Sequence, residues 1–420
     1  GNGYLGQRAA FEERYVGQTR DLMVTGTFNK FDEDEVTELP NLPDVTNLEF
    51  RVDGVRFAMD AANTKDYLRV MDFQKHMDKR VTWTHPDGRR FALCFTRFAS
   101  MDNEHVLGLR ASITALDGGA EIRVDSGIDG RVSNTGSQHF HEGDKRIFDN
   151  RVLRMVSRTI QSGVSCCLHT AHTFTVNGQE AQGKLLPIID RRYMAMRATF
   201  TLEKGQTLTV DKLTVVTTSR DLAYENLENK AERAQEDGGR MMQQAIEAGY
   251  DALFAASCAK WAELWDKADV RITSKRPFDQ LMVRFALYHL NIMAKKDDNR
   301  VGIGAKGMTG EGYKGHTFWD TEMFILPYFI YSAPEIAKPE AARSLLEYRY
   351  RGLYGARRKA QENGFEGAMY PWEAAWVDDG EVTPLWGAAD VVTGKPMKIL
   401  TGIIEQHITA DVAFAVEQYF

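Results

Sequence analysis

Leu48-Glu49-Phe50-Arg51-Val52-Asp53-Gly54-Val55-Arg56-Phe57-Ala58-Met59 alternates apolar and polar residues on both sides of an Asp-Gly pair. Period-two alternation marks a strand with one buried face, and a two-residue Asp-Gly loop suits a type I′ turn, so the stretch predicts a β-hairpin. The pattern recurs outward from it. Residues 81–84 and 90–95 flank His85-Pro86-Asp87-Gly88, and more strands are predicted at 106–113, 121–124, 164–177, 194–202 and 208–218. Strands at this spacing with no helix between them predict an antiparallel β-sandwich, here assigned to residues 1–219.

The character of the chain changes after Ser219. Residues 223–267 are rich in Glu, Ala, Lys, Gln and Leu, interrupted only by Gly238-Gly239, which predicts a helical linker over 220–272 with a break at those glycines. Pro277 opens a helix in which Phe278, Leu281, Phe285, Tyr288 and Ile292 share one apolar stripe, proline being favoured in a first turn. Two more helices are predicted, 341–363 closed by Gly364, and 403–419. The reading is therefore mixed, β first and then all-α, with long glycine-rich loops from 273 to 420.

With 420 residues, 43% hydrophobic and 26% charged, the chain has the balance of a globular protein, with room for two or three domains. Its 59 acidic and 52 basic residues give a net charge of −7, which excludes a mainly electrostatic grip on nucleic acid or anionic lipid. No stretch reaches the roughly 18 apolar residues of a membrane helix. Cys94, Cys166, Cys167 and Cys258 lack C-x-x-C spacing and read as free thiols in a reducing cytoplasm. Gly1 to Gly6 matches G-x-G-x-x-G, but no βαβ unit surrounds it, and Tyr313 between Gly312 and Lys314 breaks a P-loop pattern. His139, His141, His169 and His172 form no H-E-x-x-H, and no G-x-S-x-G occurs, so neither a metal, a cofactor nor a serine nucleophile has a supporting motif.

The chemistry is expected in the loops of the second half. Ala305-Lys306-Gly307-Met308-Thr309-Gly310-Glu311-Gly312-Tyr313-Lys314-Gly315-His316-Thr317-Phe318-Trp319-Asp320-Thr321-Glu322 carries four glycines and ends in a Trp-acid pair. Gly364-Phe365-Glu366-Gly367-Ala368-Met369-Tyr370-Pro371-Trp372-Glu373 ends in another. A pyranose has apolar C–H faces that stack on an indole, and hydroxyls that a carboxylate can accept two at a time. One such pair reads most simply as a buried Trp beside a helix-terminal acid. Two pairs, each after a glycine-rich stretch, point to a carbohydrate site.

These segments, with Gly1-Asn2-Gly3-Tyr4-Leu5-Gly6-Gln7-Arg8 and Glu405-Gln406-His407-Ile408-Thr409-Ala410-Asp411-Val412-Ala413, resemble glycoside hydrolase family 65 from end to end. That family contains inverting disaccharide phosphorylases acting on maltose, trehalose, kojibiose, nigerose and glucosylglycerol. The resemblance implies a β-sandwich, a helical linker and an (α/α)6 barrel, of which 273–420 would be the first part, and further residues before Gly1 and beyond Phe420. It puts the general-acid glutamate beyond Phe420, so no catalytic residue is assigned here. It implies phosphorolysis with inversion, inorganic phosphate being the co-substrate, to give β-glucose 1-phosphate, with a kojibiose-type or glucosylglycerol-type acceptor. Trp319, Asp320, Trp372 and Glu373 would bind the sugar, as would Lys314, which stands where many relatives have Arg. A cytoplasmic homodimer is expected for the full-length form. An α-glucoside hydrolase and a non-catalytic carbohydrate-binding fragment are the competing readings. Residues 377–397 read as an irregular loop that selects the acceptor, with Trp386 as its aromatic platform.

Overall fold

The fold is that of a computed structural model that describes residues 1–15, 17–332 and 338–420. The Asp-Gly pair turns as a type I′ loop requires, with Asp53 at φ 45° and Gly54 at φ 84°, joining Leu48–Val52 to Val55–Arg56. Two large antiparallel sheets dominate the first half. One runs Asp144–Phe148, Val152–Arg158, Ser165–Val176, Thr207–Thr218, Val106–Ala115, Arg90–Ala99, Met77–Thr84 and Thr64–Met71. The other runs Lys184–Asp190, Tyr193–Leu202, Ala120–Asp129, Leu48–Val52 and Val55–Arg56. Their inner faces share one core, with Phe50, Val124 and Phe200 of the smaller sheet meeting Trp83, Phe95 and Val210 of the larger. A fully buried side chain such as Phe50 or Phe95 contributes roughly 2–3 kcal/mol. This region is sandwich-like, and the helices come later in the chain.

The helix Lys230–Ala268 covers the outer face of the larger sheet, where Met242, Ala245 and Tyr250 pack on Phe98, Leu213 and Val215. Gly238-Gly239 does not break it. A Cβ at position 238 would stand 2.8 Å from Thr217 Oγ1 and 2.9 Å from His169 Nδ1, so the glycine is there to let the sheet come close. The interruption falls instead at Gly249, at φ 77° and ψ 165°.

The helix Pro277–Met293 starts on its proline, but its predicted apolar stripe is only half used. Phe278, Leu281 and Phe285 are 63%, 50% and 51% exposed. The helix docks by its C-terminal half, where Ile292 is buried and Tyr288 stacks on Trp261 at 5.1 Å. The expected helix over 341–363 is two helices, Arg343–Arg351 and Leu353–Glu362, joined at Gly352, a poor helix former. The one expected over 403–419 is also divided, into Thr401–Ile404 and Ile408–Tyr419, with Glu405 extended between them. Nor is 377–397 wholly irregular. Trp386–Ala389 pairs with Pro396–Lys398, and the Asp390 carboxylate closes the turn by accepting the N–H groups of Val392 and Thr393 at 2.9 and 2.6 Å. Among the described residues no helix is long and apolar enough to cross a membrane.

Candidate sugar-binding site

One antiparallel bridge brings the two Trp-acid segments together. Thr317 and Ala374 exchange N–H···O bonds at 2.9 and 3.0 Å, and Thr317 also bridges Gly304. The bridge sets Trp319, two residues after Thr317 at the start of a helical turn, and Trp372, two residues before Ala374, on adjoining segments, with Phe318 edge-on to Trp372 at 5.9 Å. Both indoles meet the same imidazole, since His407 lies edge-on 4.8 Å from Trp319 and 6.4 Å from Trp372. Asp411 Oδ2 holds His407 Nδ1 at 2.6 Å. The sequence offered a signal for His407 only through the Glu405–Ala413 block, because the two indoles it meets lie far away in the chain.

Asp320 opens the helical turn Thr321–Ile325, and among the described residues its half-buried carboxylate has no hydrogen bond or ion pair. Glu373 is held from one side, its Oε2 lying 2.7 Å from His316 Nδ1. The backbone N–H groups of Trp372 and Glu373 donate to the two oxygens of Glu381 at 2.9 and 3.0 Å. Lys359 pairs with the same carboxylate. Glu381 thus fixes the turn that presents the second pair, a role that its place in the sequence does not announce.

Beneath the first pair lies a buried ion pair. Arg349 donates to both Glu322 oxygens at 2.7 and 2.9 Å, and to the Phe318 carbonyl at 3.1 Å. Burial works against the Arg349 charge, but Glu322 overrides it and leaves the guanidinium above its ordinary value. Tyr348, whose phenol burial pushes up to about 12, donates to the Ala375 carbonyl at 2.9 Å.

Lys314 is not brought to the indoles by any contact among the described residues. Its Nζ lies 3.3 Å from Glu38 Oε2, while Glu38 Oε1 accepts from His139 Nε2 at 2.9 Å. Burial raises the Glu38 carboxyl, but the His139 hydrogen bond and the Lys314 charge outweigh it and hold it below the ordinary value. Glu38 belongs to the small hairpin Asn29–Lys30 with Thr37–Glu38, and the glycine-rich loop lies directly on it. A Cβ at Gly315 would come within 2.4 Å of Leu39 Cδ1. Tyr313 and Lys314 themselves take left-handed backbone, both at φ 56°. Trp386 is 58% exposed on its own hairpin, with no ring contact to the other tryptophans among the described residues.

A cleft of about 740 Å³ lies beside Glu311, lined by Arg8, Arg14, Arg20 and Arg131. These four guanidinium groups face three carboxylates, Asp21, Asp44 and Asp129, the last shared by Arg14 and Arg131, and Glu311 adds a fourth, so the charges of the cleft are largely balanced within the protein. The Trp-acid pairs differ in this respect, because Asp320 and Glu373 Oε1 have no protein partner among the described residues. Two indole faces beside carboxylate oxygens free to accept suit a polyhydroxylated ring. Among the described residues no group of three His, Cys, Asp or Glu side chains is placed to hold a metal ion.

Comparison with known proteins agrees with the architecture. A kojibiose phosphorylase of Halothermothrix orenii is 42% identical over 422 residues, covering 100% of this chain and 53% of that protein. The Escherichia coli kojibiose phosphorylase is 35% identical over 430 residues, covering 100% and 53%. Proteins named α,α-trehalose phosphorylase and nigerose phosphorylase are also among the relatives. The chain thus spans about half the length of the curated relatives it matches. A solved structure named as a candidate kojibiose phosphorylase from the human microbiome superposes with a TM-score of 0.83 at 19% identity, covering 100% of this chain and 53% of that one, a likeness of fold. Residues 1–264 match the N-terminal domain of glycosyl hydrolase family 65 and residues 284–420 its central catalytic domain, so the chain belongs to glycoside hydrolase family 65.

Proposed function

We propose that the protein is an inverting glycoside phosphorylase that cleaves an α-linked glucoside of the kojibiose or glucosylglycerol type. Phosphate attacks the anomeric carbon from the β face while the glycosidic C–O bond breaks, giving β-glucose 1-phosphate and the free acceptor. Phosphate is its own nucleophile, so one carboxylic acid to protonate the leaving oxygen suffices, and we assign that acid to a glutamate beyond Phe420. The helices from 273 onward are proposed to be the first part of an (α/α)6 barrel, following a β-sandwich over 1–219 and a linker over 220–272.

The observation that carries this reading is that Trp319-Asp320 and Trp372-Glu373 flank the Thr317–Ala374 bridge and that both indoles meet His407. The indoles are proposed to stack on the glucose ring while Asp320 and Glu373 accept its hydroxyls. Lys314, with one N–H on Glu38, would offer its others to a sugar oxygen. The relatives named for kojibiose support the acceptor class. The acceptor itself is proposed to be chosen by residues 377–397, whose hairpin presents Trp386. We also propose a cytoplasmic homodimer, in which the four free cysteines stay reduced.

The test is the full-length protein incubated with kojibiose, with and without phosphate, and the product followed by NMR at the anomeric proton. The reading requires phosphate-dependent release of β-glucose 1-phosphate. Release of glucose at the same rate without phosphate would make it a hydrolase, and no turnover of any α-glucoside would make it a binding protein. Grafting 377–397 from a maltose-specific relative should change the acceptor used in synthesis and leave the donor unchanged.

A further inference from the structure

We infer that His316 is a positioning residue that aims the Glu373 carboxylate at the substrate and ties it to the β-rich half of the molecule. The inference rests on the proposed sugar contact of Glu373. His316 is fully buried, with its ring against Phe28 at 6.2 Å between centroids. Nδ1 lies 2.7 Å from Glu373 Oε2, and Nε2 meets the backbone carbonyl of Thr37. A carbonyl oxygen can only accept, so Nε2 carries a proton and donates it to Thr37. The remaining contact, between Nδ1 and Glu373 Oε2, is closed by one further proton lying between them.

This arrangement assigns each oxygen of Glu373 a task. Oε2 is committed to the imidazole, and Oε1, which has no protein partner among the described residues, is left free to accept from a hydroxyl. A glutamate side chain has three rotatable bonds, and a single strong hydrogen bond at one oxygen removes most of that freedom before substrate arrives. Thr37 lies in the strand Thr37–Glu38, whose Glu38 grips Lys314 two residues before His316. The imidazole is thus the point at which the N-terminal hairpin enters the geometry of the second Trp-acid pair.

Two substitutions of similar size separate positioning from packing. The amide nitrogen of Asn can take the place of a histidine Nδ1, and that of Gln the place of Nε2. In the full-length protein, His316→Asn keeps the donor to Glu373 and loses the one to Thr37, whereas His316→Gln does the reverse. We expect kcat/KM for the glucoside to fall at least about tenfold in H316Q, mostly in kcat, and to stay within about threefold of wild type in H316N. Equal losses in the two variants, or a larger loss in H316N, would overturn the inference.

If either variant fails to fold, a measurement that leaves His316 in place decides. In substrate-free protein labelled with ¹⁵N-histidine, Glu373→Gln should move the Nδ1 resonance of His316 and leave Nε2 in place. An unmoved Nδ1 resonance refutes the link. If Nδ1 moves while E373Q turns over glucoside at the wild-type rate, the link stands and it is the sugar contact of Glu373 that fails.

Discussion

Tyr348 and Arg349 are adjacent in the chain and reach opposite walls of the site. The Tyr348 hydroxyl holds the Ala375 carbonyl, just past Trp372-Glu373, and the Arg349 guanidinium holds the Phe318 carbonyl, just before Trp319-Asp320. Successive side chains on a helix diverge by about 100°, so one turn of Arg343–Arg351 can grip two segments at once. Any shift of that helix moves both pairs together, and their spacing is preserved.

Arg349→Met would strand the buried Glu322 carboxylate without a counter-charge. Breaking a pair of this kind typically costs about 3–5 kcal/mol, whereas removing both charges costs far less. Denaturant titration should show R349M destabilised by about that amount, with E322L/R349M recovering a good part of it. A single variant with the wild-type midpoint would show that the pair contributes nothing.

Asp320→Asn should separate function from fold. An amide has one acceptor oxygen where the carboxylate has two, and hydrogen bonds from sugar to a charged acceptor that tighten in the transition state are worth several kcal/mol. A fall in kcat/KM of at least about a hundredfold is expected, which corresponds to about 2.7 kcal/mol. Since Asp320 has no protein partner among the described residues, the thermal midpoint should not move. Turnover near the wild-type rate would remove Asp320 from the site.

The strands that the sequence announced are those with one clean buried face, such as Leu48–Val52 and Arg90–Ala99. Thr64–Met71, Asp144–Phe148 and Lys184–Asp190 went unread because they lie at sheet edges, half open to water, where alternation is weak. Gly238 misled for another reason. Local propensity marks it as a breaker, but its use is set by His169 and Thr217 on two neighbouring strands of the larger sheet. At the site, the tryptophans and acids were legible as residue types. His407, Glu381 and Arg349 were not singled out, since each acts on a partner brought near only by the fold, although His316 and Glu322 lie inside the very block that drew attention.

Gly238→Ala and Gly249→Ala make a paired test of that point. Helix propensity alone would favour alanine at both by about 1 kcal/mol. At 238 the new methyl meets Thr217 and His169 at less than 3.0 Å, and overpacking of that kind costs roughly 1–3 kcal/mol. At 249 nothing lies within 4 Å, but φ 77° penalises any Cβ by roughly 1–2 kcal/mol. Both should lower the denaturation midpoint, and a gain at 238 would show that the sheet gives way.

His172 gives a proton-linked stability. It is buried with Nε2 on Ser126 Oγ at 3.0 Å, and burial, with the Lys212 charge, drops its imidazole to about 3. The unfolded chain takes up this proton below its ordinary value of about 6.5, and the folded chain does so only near the lowered one. More protons on the unfolded chain mean that stability falls as pH falls, so the contribution is complete above about 6.5 and is lost progressively toward about 3. His172→Gln lacks this uptake and should gain on wild type by about 1.4 kcal/mol per pH unit between about pH 6 and 4. A difference that does not vary with pH would rule out His172 as the linked group.

Tyr313 and Lys314 stand one after the other in left-handed backbone, where each side chain costs roughly 1 kcal/mol relative to glycine. A library selected for heat resistance would be drawn to these two positions, because glycine or asparagine there relieves the chain at once. The same changes would loosen the grip of the loop on Glu38 and, through Gly315 and His316, the seat of the second tryptophan pair. Selection for durability and selection for turnover therefore pull in opposite directions here, and in this loop improvement by stability screening would be misleading.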